Sequence, residues 1–277
     1  MKASLIDYEP AVRLGAFASV FVLMAAWEVL SARRELSGPK GERWLTNLTL
    51  VGVNTLVLRL LFPSAALGMA QVATERRWGL LNNLDLPDLV SIVAAVVALD
   101  LAIYVQHVLF HAVPTLWRLH MVHHADVDID VTTGARFHPI EIVLSMGIKL
   151  AVVAALGPPM LAVLAFEVML NATAMFNHAN VSMPDRLDRI LRWLVVTPDM
   201  HRVHHSVEAA ECNSNFGFSL PWLDRLLGTY RAQPAAGHEA MTIGVAHLQD
   251  GRSQNLLQLL ALPFAEQPGE YPLSHDG

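Results

Sequence analysis

The sequence predicts an all-α fold, an integral-membrane helical bundle of about four to five membrane helices, including a helical hairpin, under a cytosolic histidine-rich helical cap. Three observations predict it. Hydrophobic residues make up 53% of the chain and charged residues only 16%. The apolar residues gather in blocks long enough to cross a bilayer. Of thirteen histidines, most fall between His107 and His205, near the polar ends of those blocks.

The first block, residues 11–31, carries only Arg13 and Glu28 as charges, both near its ends. No small-residue cleavage site follows, so it reads as an uncleaved membrane helix. A polar stretch, 33–43, ends it. The second block, 45–73, is apolar apart from Arg59 and is expected to span once, with a kink or break near Pro63. Arg59 has to snorkel, pair or face a cavity. After a turn-rich loop the third block runs from Leu89 to about Val113 and carries Asp100, His107 and His111, which lipid would not tolerate facing outward. The fourth, 142–176, is too long for one plain span and is broken by Gly157, Pro158 and Pro159, which predicts a hairpin dipping in and returning. Residues 186–196 (RLDRILRWLVV) alternate basic and apolar positions at helical spacing, as an interfacial helix does. The tail after Gly228 lacks strong periodicity. These elements divide the chain into N-terminal membrane helices (1–88), a histidine-bearing domain (89–230) and a C-terminal tail (231–277).

Charge sets orientation. Arg33, Arg34, Lys40 and Arg43 outnumber Arg76 and Arg77 of the next loop, which places the first loop, and with it the histidines, on the cytoplasmic face. The net charge of −6 leaves no basic footprint for nucleic acid. The lone Cys212 excludes an internal disulfide and a cysteine-held cluster.

Four histidine pieces read together as a metal site. In HVLFH, His107 and His111 are four apart and share a helix face. HMVHH supplies His120, His123 and His124, and HRVHH supplies His201, His204 and His205. In a helix, the first and fifth residues of such a triplet project together and the fourth sits beside them, so each triplet can serve two ions. His178, in NHAN, lies where the hairpin returns to the polar side. A single pair at four-residue spacing is more often incidental; two HxxHH triplets plus HxxxH on one side of one membrane are not. His138, in RFHPIE, is a possible ligand, a support for a ligand or a substrate contact. His238, His247 and His275, in the tail, read as ordinary surface or core histidines.

Imidazole suits several metals. This many histidines exceed the three or four that one ion needs. No motif holds the carboxylate base of a hydrolytic zinc site, as HExxH does. Two redox-active ions handling O2 fit better. Asp100, Asp199 and Asn180 are candidates to orient the rings. Trp117, Phe137 and Trp222 are candidates to line a substrate channel. A zinc hydrolase and a histidine-rich metal-binding or transport protein stay open as alternatives, and a bis-histidine haem protein would need paired histidines on facing helices rather than triplets.

HxxxH, HxxHH and a later HxxHH, in that order between apolar helices, resemble the fatty acid hydroxylase superfamily, also called the sterol desaturase family. The likeness extends to DLAIYVQHVLFH (100–111), RFHPIE (136–141), NFG (215–217) and WLDRLLGT (222–229), nearly half of the chain. Phe216 stands where the family commonly has tyrosine. The resemblance implies a non-haem di-iron centre that uses O2 to oxidise a C–H bond of a lipid. It implies ligand roles for His107, His111, His120, His123, His124, His201, His204 and His205, with His178 next. With no haem-type HPGG segment, electrons are expected from an external reductase or ferredoxin-type donor.

Overall fold

The computed structural model describes residues 5–251 and 255–273; His275 lies outside them. The described residues are helical, with isolated bridges Ala32–Val181 and Ser206–Ile243 and no strand. The membrane part comprises α1 (Leu5–Leu30), α2 (Lys40–Leu61), α3 (Ala65–Arg76) and α4 (Asp88–Ala112). Next come α5 (Pro114–His124), then α6 (Pro139–Leu156) and α7 (Met160–Asn177). Short helices follow: α8 (Asp185–Leu191), α9 (Pro198–His204), α10 (Ala209–Cys212), α11 (Trp222–Leu227), α12 (Gly237–Ala240) and α13 (Leu256–Ala265). Five segments are long and apolar enough to cross a membrane: α1, the α2–α3 stretch, α4, α6 and α7.

These segments alternate in direction. The chain after α1 is stitched to the chain after α7 by Arg33 N to Asn180 O (3.0 Å) and Ser182 N to Ser31 O (2.8 Å). At the opposite end, Leu80 N donates to Ala155 O (3.0 Å). There Gly79 (φ +87°) crosses Gly157 (φ +64°) so closely that a Cβ on Gly79 would lie 2.2 Å from the Gly157 nitrogen. Only residues without a side chain allow that approach.

The break expected near Pro63 falls between α2 and α3. The α6–α7 hairpin turns at Gly157–Pro159 as expected. Each arm is 18 residues, about 27 Å, because the helices run past the apolar block at both ends. The arms diverge, and α3 and α4 pack against both of them; Leu67, Leu99, Val153 and Phe166 share that core. Inside the spans, Glu167 is buried and paired with Lys149 (2.9 Å) and Arg13 (3.2 Å), which offsets the cost of charge at that depth. Arg59 stays exposed on the last turn of α2.

Arg43, read from sequence as a loop charge, is instead buried within α2. Its guanidinium grips Asp126 (2.8 and 3.0 Å) and Asp130 (2.9 Å). Trp44 Nε1 also donates to Asp130, and Asp128 accepts from the Ser37 and Gly38 nitrogens. This network clamps the loop after α5 onto α2. The tail also departs from expectation. Its apolar residues recur at helical spacing in α13, with Asn255 as cap, and Leu259, Leu262 and Tyr271 pack on Trp117 and Met121 of α5.

Candidate metal centre

The centre lies at the end of the bundle that also holds the loop after α1. His107 and His111 come from the last two turns of α4, and His120, His123 and His124 from α5. His178 caps α7. His201 and His204 lie on α9, and His205 caps it. All nine are buried.

They form two groups. His107, His111, His120, His124 and His204 make one; His123, His178, His201 and His205 make the other. In each group one nitrogen per ring lies within 4.8 Å of every other. Both triplets split in the same way. The first and fifth residues go to one group and the fourth to the other, because a four-residue step returns to nearly the same helix face and a three-residue step falls to its side. The groups adjoin, with the His124 and His205 rings stacked at 4.6 Å.

Seven rings have a partner at Nδ1. His107 faces Phe216 O (2.8 Å), His178 faces Ala174 O (2.7 Å), His204 faces Ser214 O (2.8 Å) and His123 faces Arg136 O (3.3 Å). His120 meets the Glu141 carboxylate (2.7 Å), His111 the Asn213 side-chain oxygen (3.1 Å) and His124 the Cys212 sulfur (3.6 Å). A carbonyl can only accept, so it sets the ring as the Nδ1–H tautomer and leaves Nε2 with a lone pair.

Those lone pairs point at one another. Nε2 of His123 and His178 are 3.1 Å apart, as are those of His107 and His120. Nε2 of His111, His124, His204 and His205 has no hydrogen-bond partner although buried. Two lone pairs at that distance repel unless a cation sits between them. With metal–imidazole bonds of ~2.1 Å, neighbouring octahedral ligands lie ~3.0 Å apart and tetrahedral ones ~3.4 Å. The donor set therefore fits imidazole-bound metal. Burial pushes His120 and His178 down to about 3, and His123, His124, His201, His204 and His205 well below the ordinary imidazole range. The rings are neutral at neutral pH, as ligation needs.

The remaining sequence candidates lie elsewhere. Asp100 accepts from Leu220 N (3.2 Å). Asn180 exchanges hydrogen bonds with the Arg34 backbone. Asp199 pairs with Arg202 and Arg33 and lies 3.7 Å from His238. None of the three touches the nine rings, since each is spent on holding a loop. His138 caps α6 by accepting from Ile140 N, and its Nε2 meets Leu260 O, which turns it away from both groups. Buried Trp117 packs behind His111 and donates to Pro268 O. Trp222 is exposed and donates to Trp193 O. Of the three channel candidates, Phe137, stacked on His123 at 4.5 Å, and Trp117, 4.8 Å from His111 and 5.2 Å from His124, border the centre, and Trp222 lies away from it. His238 is buried, His247 exposed, and both are outside the groups.

Sequence reasoning passed over Glu141, Asn213 and Cys212 as ring partners. Glu141 stood in the quoted RFHPIE motif; Asn213 and Cys212 carried no spacing signal.

Residues 92–229 match the family model described as fatty acid hydroxylase. Ornithine lipid hydroxylase OlsE of Rhizobium tropici is 31% identical over 208 residues, 74% of this chain and 60% of that protein. Alkylglycerol monooxygenase of Xenopus tropicalis is 28% identical over 131 residues, 47% of this chain and 28% of that one. Very-long-chain aldehyde decarbonylase GL1-1 of Oryza sativa subsp. indica is 31% identical over 183 residues, covering 61% and 29%. The chain thus matches 60% or less of these relatives' lengths. No solved structure matches it.

Proposed function

Because the chain belongs to the fatty acid hydroxylase superfamily, we propose that it is a membrane-bound di-iron oxygenase that uses O2 to hydroxylate, or desaturate, a C–H bond of a lipid. The observation that carries this reading is the pair of adjoining nitrogen groups, each lined with inward-facing imidazoles. One group offers five nitrogens and the other four, one set for each of two irons. Bound there, the pair supplies O2 activation and the oxidation of an unactivated C–H bond.

The protein's own residues do the rest. The acceptors at Nδ1 hold the rings in register. Phe137, Phe216 and Phe218 wall the centre with apolar surface and keep water from it. The membrane spans deliver the lipid from the bilayer, and an external reductase or ferredoxin-type protein delivers electrons. Arg33, Arg34 and Lys40 on the histidine side, against Arg76 and Arg77 on the other, support a cytoplasmic centre in a bacterial inner membrane. Residues 89–230 form the catalytic domain in this reading.

The test is elemental analysis of detergent-purified protein beside a His123→Ala, His204→Ala double variant, which removes one nitrogen from each group. The reading expects about two iron ions per chain, one per group, lost in the variant. One zinc and no iron, in protein grown with ample iron, would point to a hydrolase. Metal insensitive to the variant would overturn the site. Ornithine lipid and alkylglycerols, named for the relatives, are the first lipids to screen by mass spectrometry for a gained oxygen.

A further inference from the structure

Two short helices outside the spans carry an apolar face that no described residue covers. Ile190, Trp193 and Leu194, on α8 and just after it, are exposed, as are Trp222, Leu226 and Leu227 on α11, with Leu226 at 77%. The two helices are locked into one shelf. Trp222 Nε1 donates to Trp193 O (3.0 Å) and Arg225 donates to Arg192 O (3.2 Å). The Arg225 guanidinium lies over the rings of Trp193 (4.2 Å) and Tyr230 (3.9 Å).

The shelf lies alongside a membrane-length apolar helix. Leu220 N binds the Asp100 carboxylate, and Thr229 Oγ1 lies 2.7 Å from Tyr104 Oη. These contacts bracket α11 beside residues 100–104 of α4, which continues to Ala112. At ~1.5 Å per residue, α11 lies about 12–18 Å below the top of α4. A hydrocarbon core of ~30 Å takes up ~20 residues, reaching from Asp88 to about Val108, so the shelf lies within it or at its edge. Irregular backbone at that depth needs protein partners, and it has them. Gly217 N binds Asp224, Phe218 O accepts from Asn177, and Val196 N donates to Ser219 O. Tryptophan beside arginine is the pairing that suits the headgroup boundary. Arg186 and Arg189 are exposed on α8 and pair with no carboxylate among the described residues.

We propose that this face is sunk in the leaflet on the histidine side, with Arg186 and Arg189 resting on anionic lipid headgroups. The leaflet then supports the 216–220 loop, whose Phe216 carbonyl orients His107. The proposal rests on the membrane spans and not on the identity of the metal.

The test uses the full chain in nanodiscs of neutral lipid or of neutral and anionic lipid mixed. Nitroxides are placed through Leu226→Cys and Ile190→Cys, with exposed Glu208→Cys as the aqueous control and Cys212 left in its buried site. Collisions with oxygen should exceed those with a water-soluble nickel chelate at 226 and 190, and the order should reverse at 208. Adding Arg186→Gln and Arg189→Gln should raise chelate collisions at 190 in anionic discs and leave neutral discs unchanged. Chelate access at 226 equal to that at 208 would put the shelf in water and overturn the proposal. Protection from both reagents would show a protein partner, such as a second copy, and overturn it equally. An arginine effect independent of lipid charge would overturn the headgroup contact.

Discussion

Replacing Arg43 by Met should unclamp the loop between α5 and α6. Arg43 is 1% exposed and makes two contacts to Asp126 and one to Asp130, all between 2.8 and 3.0 Å. Met keeps much of the volume and removes the charge. Asp126 keeps a charged neighbour only in Arg136 at 4.0 Å, with neutral donors from Thr133 and Asn47, and Asp130 keeps neutral donors from Trp44 and Thr132. Breaking one side of a buried ion pair costs about 3–5 kcal/mol. At about 2–4 °C per kcal/mol, the melting temperature should fall by roughly 6–20 °C. The sign with pH follows from Asp126. Burial alone raises an aspartate, but Arg43 and Arg136 hold this one at about 2. A carboxyl held below its unfolded value stabilises the fold above that value and loses the contribution as pH falls toward the folded value. The deficit of the variant is therefore full at neutral pH and narrows below about pH 4, as the Asp126 carboxyl takes up a proton. Thermal melts of wild type, Arg43→Met and Arg43→Lys in detergent, followed by tryptophan fluorescence over a pH series, read this directly. Lys should fall between the other two. A Met variant melting within ~2 °C of wild type, or a deficit that ignores pH, would refute the clamp.

Three further outcomes bear on the centre. Glu141→Ala removes the 2.7 Å partner of His120 and should weaken metal binding about 10–100-fold in chelator competition. Glu141→Gln, which keeps an acceptor oxygen, should cost less; equal affinity in all three proteins would remove the orienting role. Gly134→Ala would set a Cβ 2.5 Å from Ala174 O and 3.2 Å from His178 Nδ1, so metal should be lost from the four-nitrogen group first, seen as a reduced metal content in folded protein. Acid should strip the metal. His120 and His178 are held at about 3 by burial, so above ~6.5 both states are neutral and nothing is gained. Between ~6.5 and ~3 the unfolded or opened chain binds more protons and the assembled centre loses stability. Metal content after dialysis should fall across that window, and retention of full metal at the lower end would contradict the neutral-imidazole site.

The difference between what was legible and what was hidden follows the range of the interactions. The spans show because lipid tolerates neither free backbone nor free charge, so apolar runs of helix length are forced into the sequence itself. The division of each HxxHH triplet between two groups is likewise local: the helical repeat puts His120 with His124 and His201 with His205, while His123 and His204 fall to the side. Which triplet member meets which distant histidine was not legible. His204 joins His107 and His111 only because α9 packs against α7 and there brings its ring 4.5 Å from His107 and 4.7 Å from His111, across about a hundred residues of chain.

The ring partners were hidden for another reason. Four of seven are backbone carbonyls, of Phe216, Ala174, Ser214 and Arg136, and every residue has one. Carboxylates near in sequence, Asp100 and Asp199, were the natural candidates. Each is spent instead on a loop nitrogen or an arginine, because an unpaired charge in this setting costs more than an imidazole lacking a partner. By itself, then, the sequence determined the membrane class, the helical spacing and the chemistry of the donors, since these depend on neighbours within a turn or two. The tertiary structure decided the grouping of the nine rings, the groups that orient them and the placing of the shelf beside α4, since these depend on which helices touch.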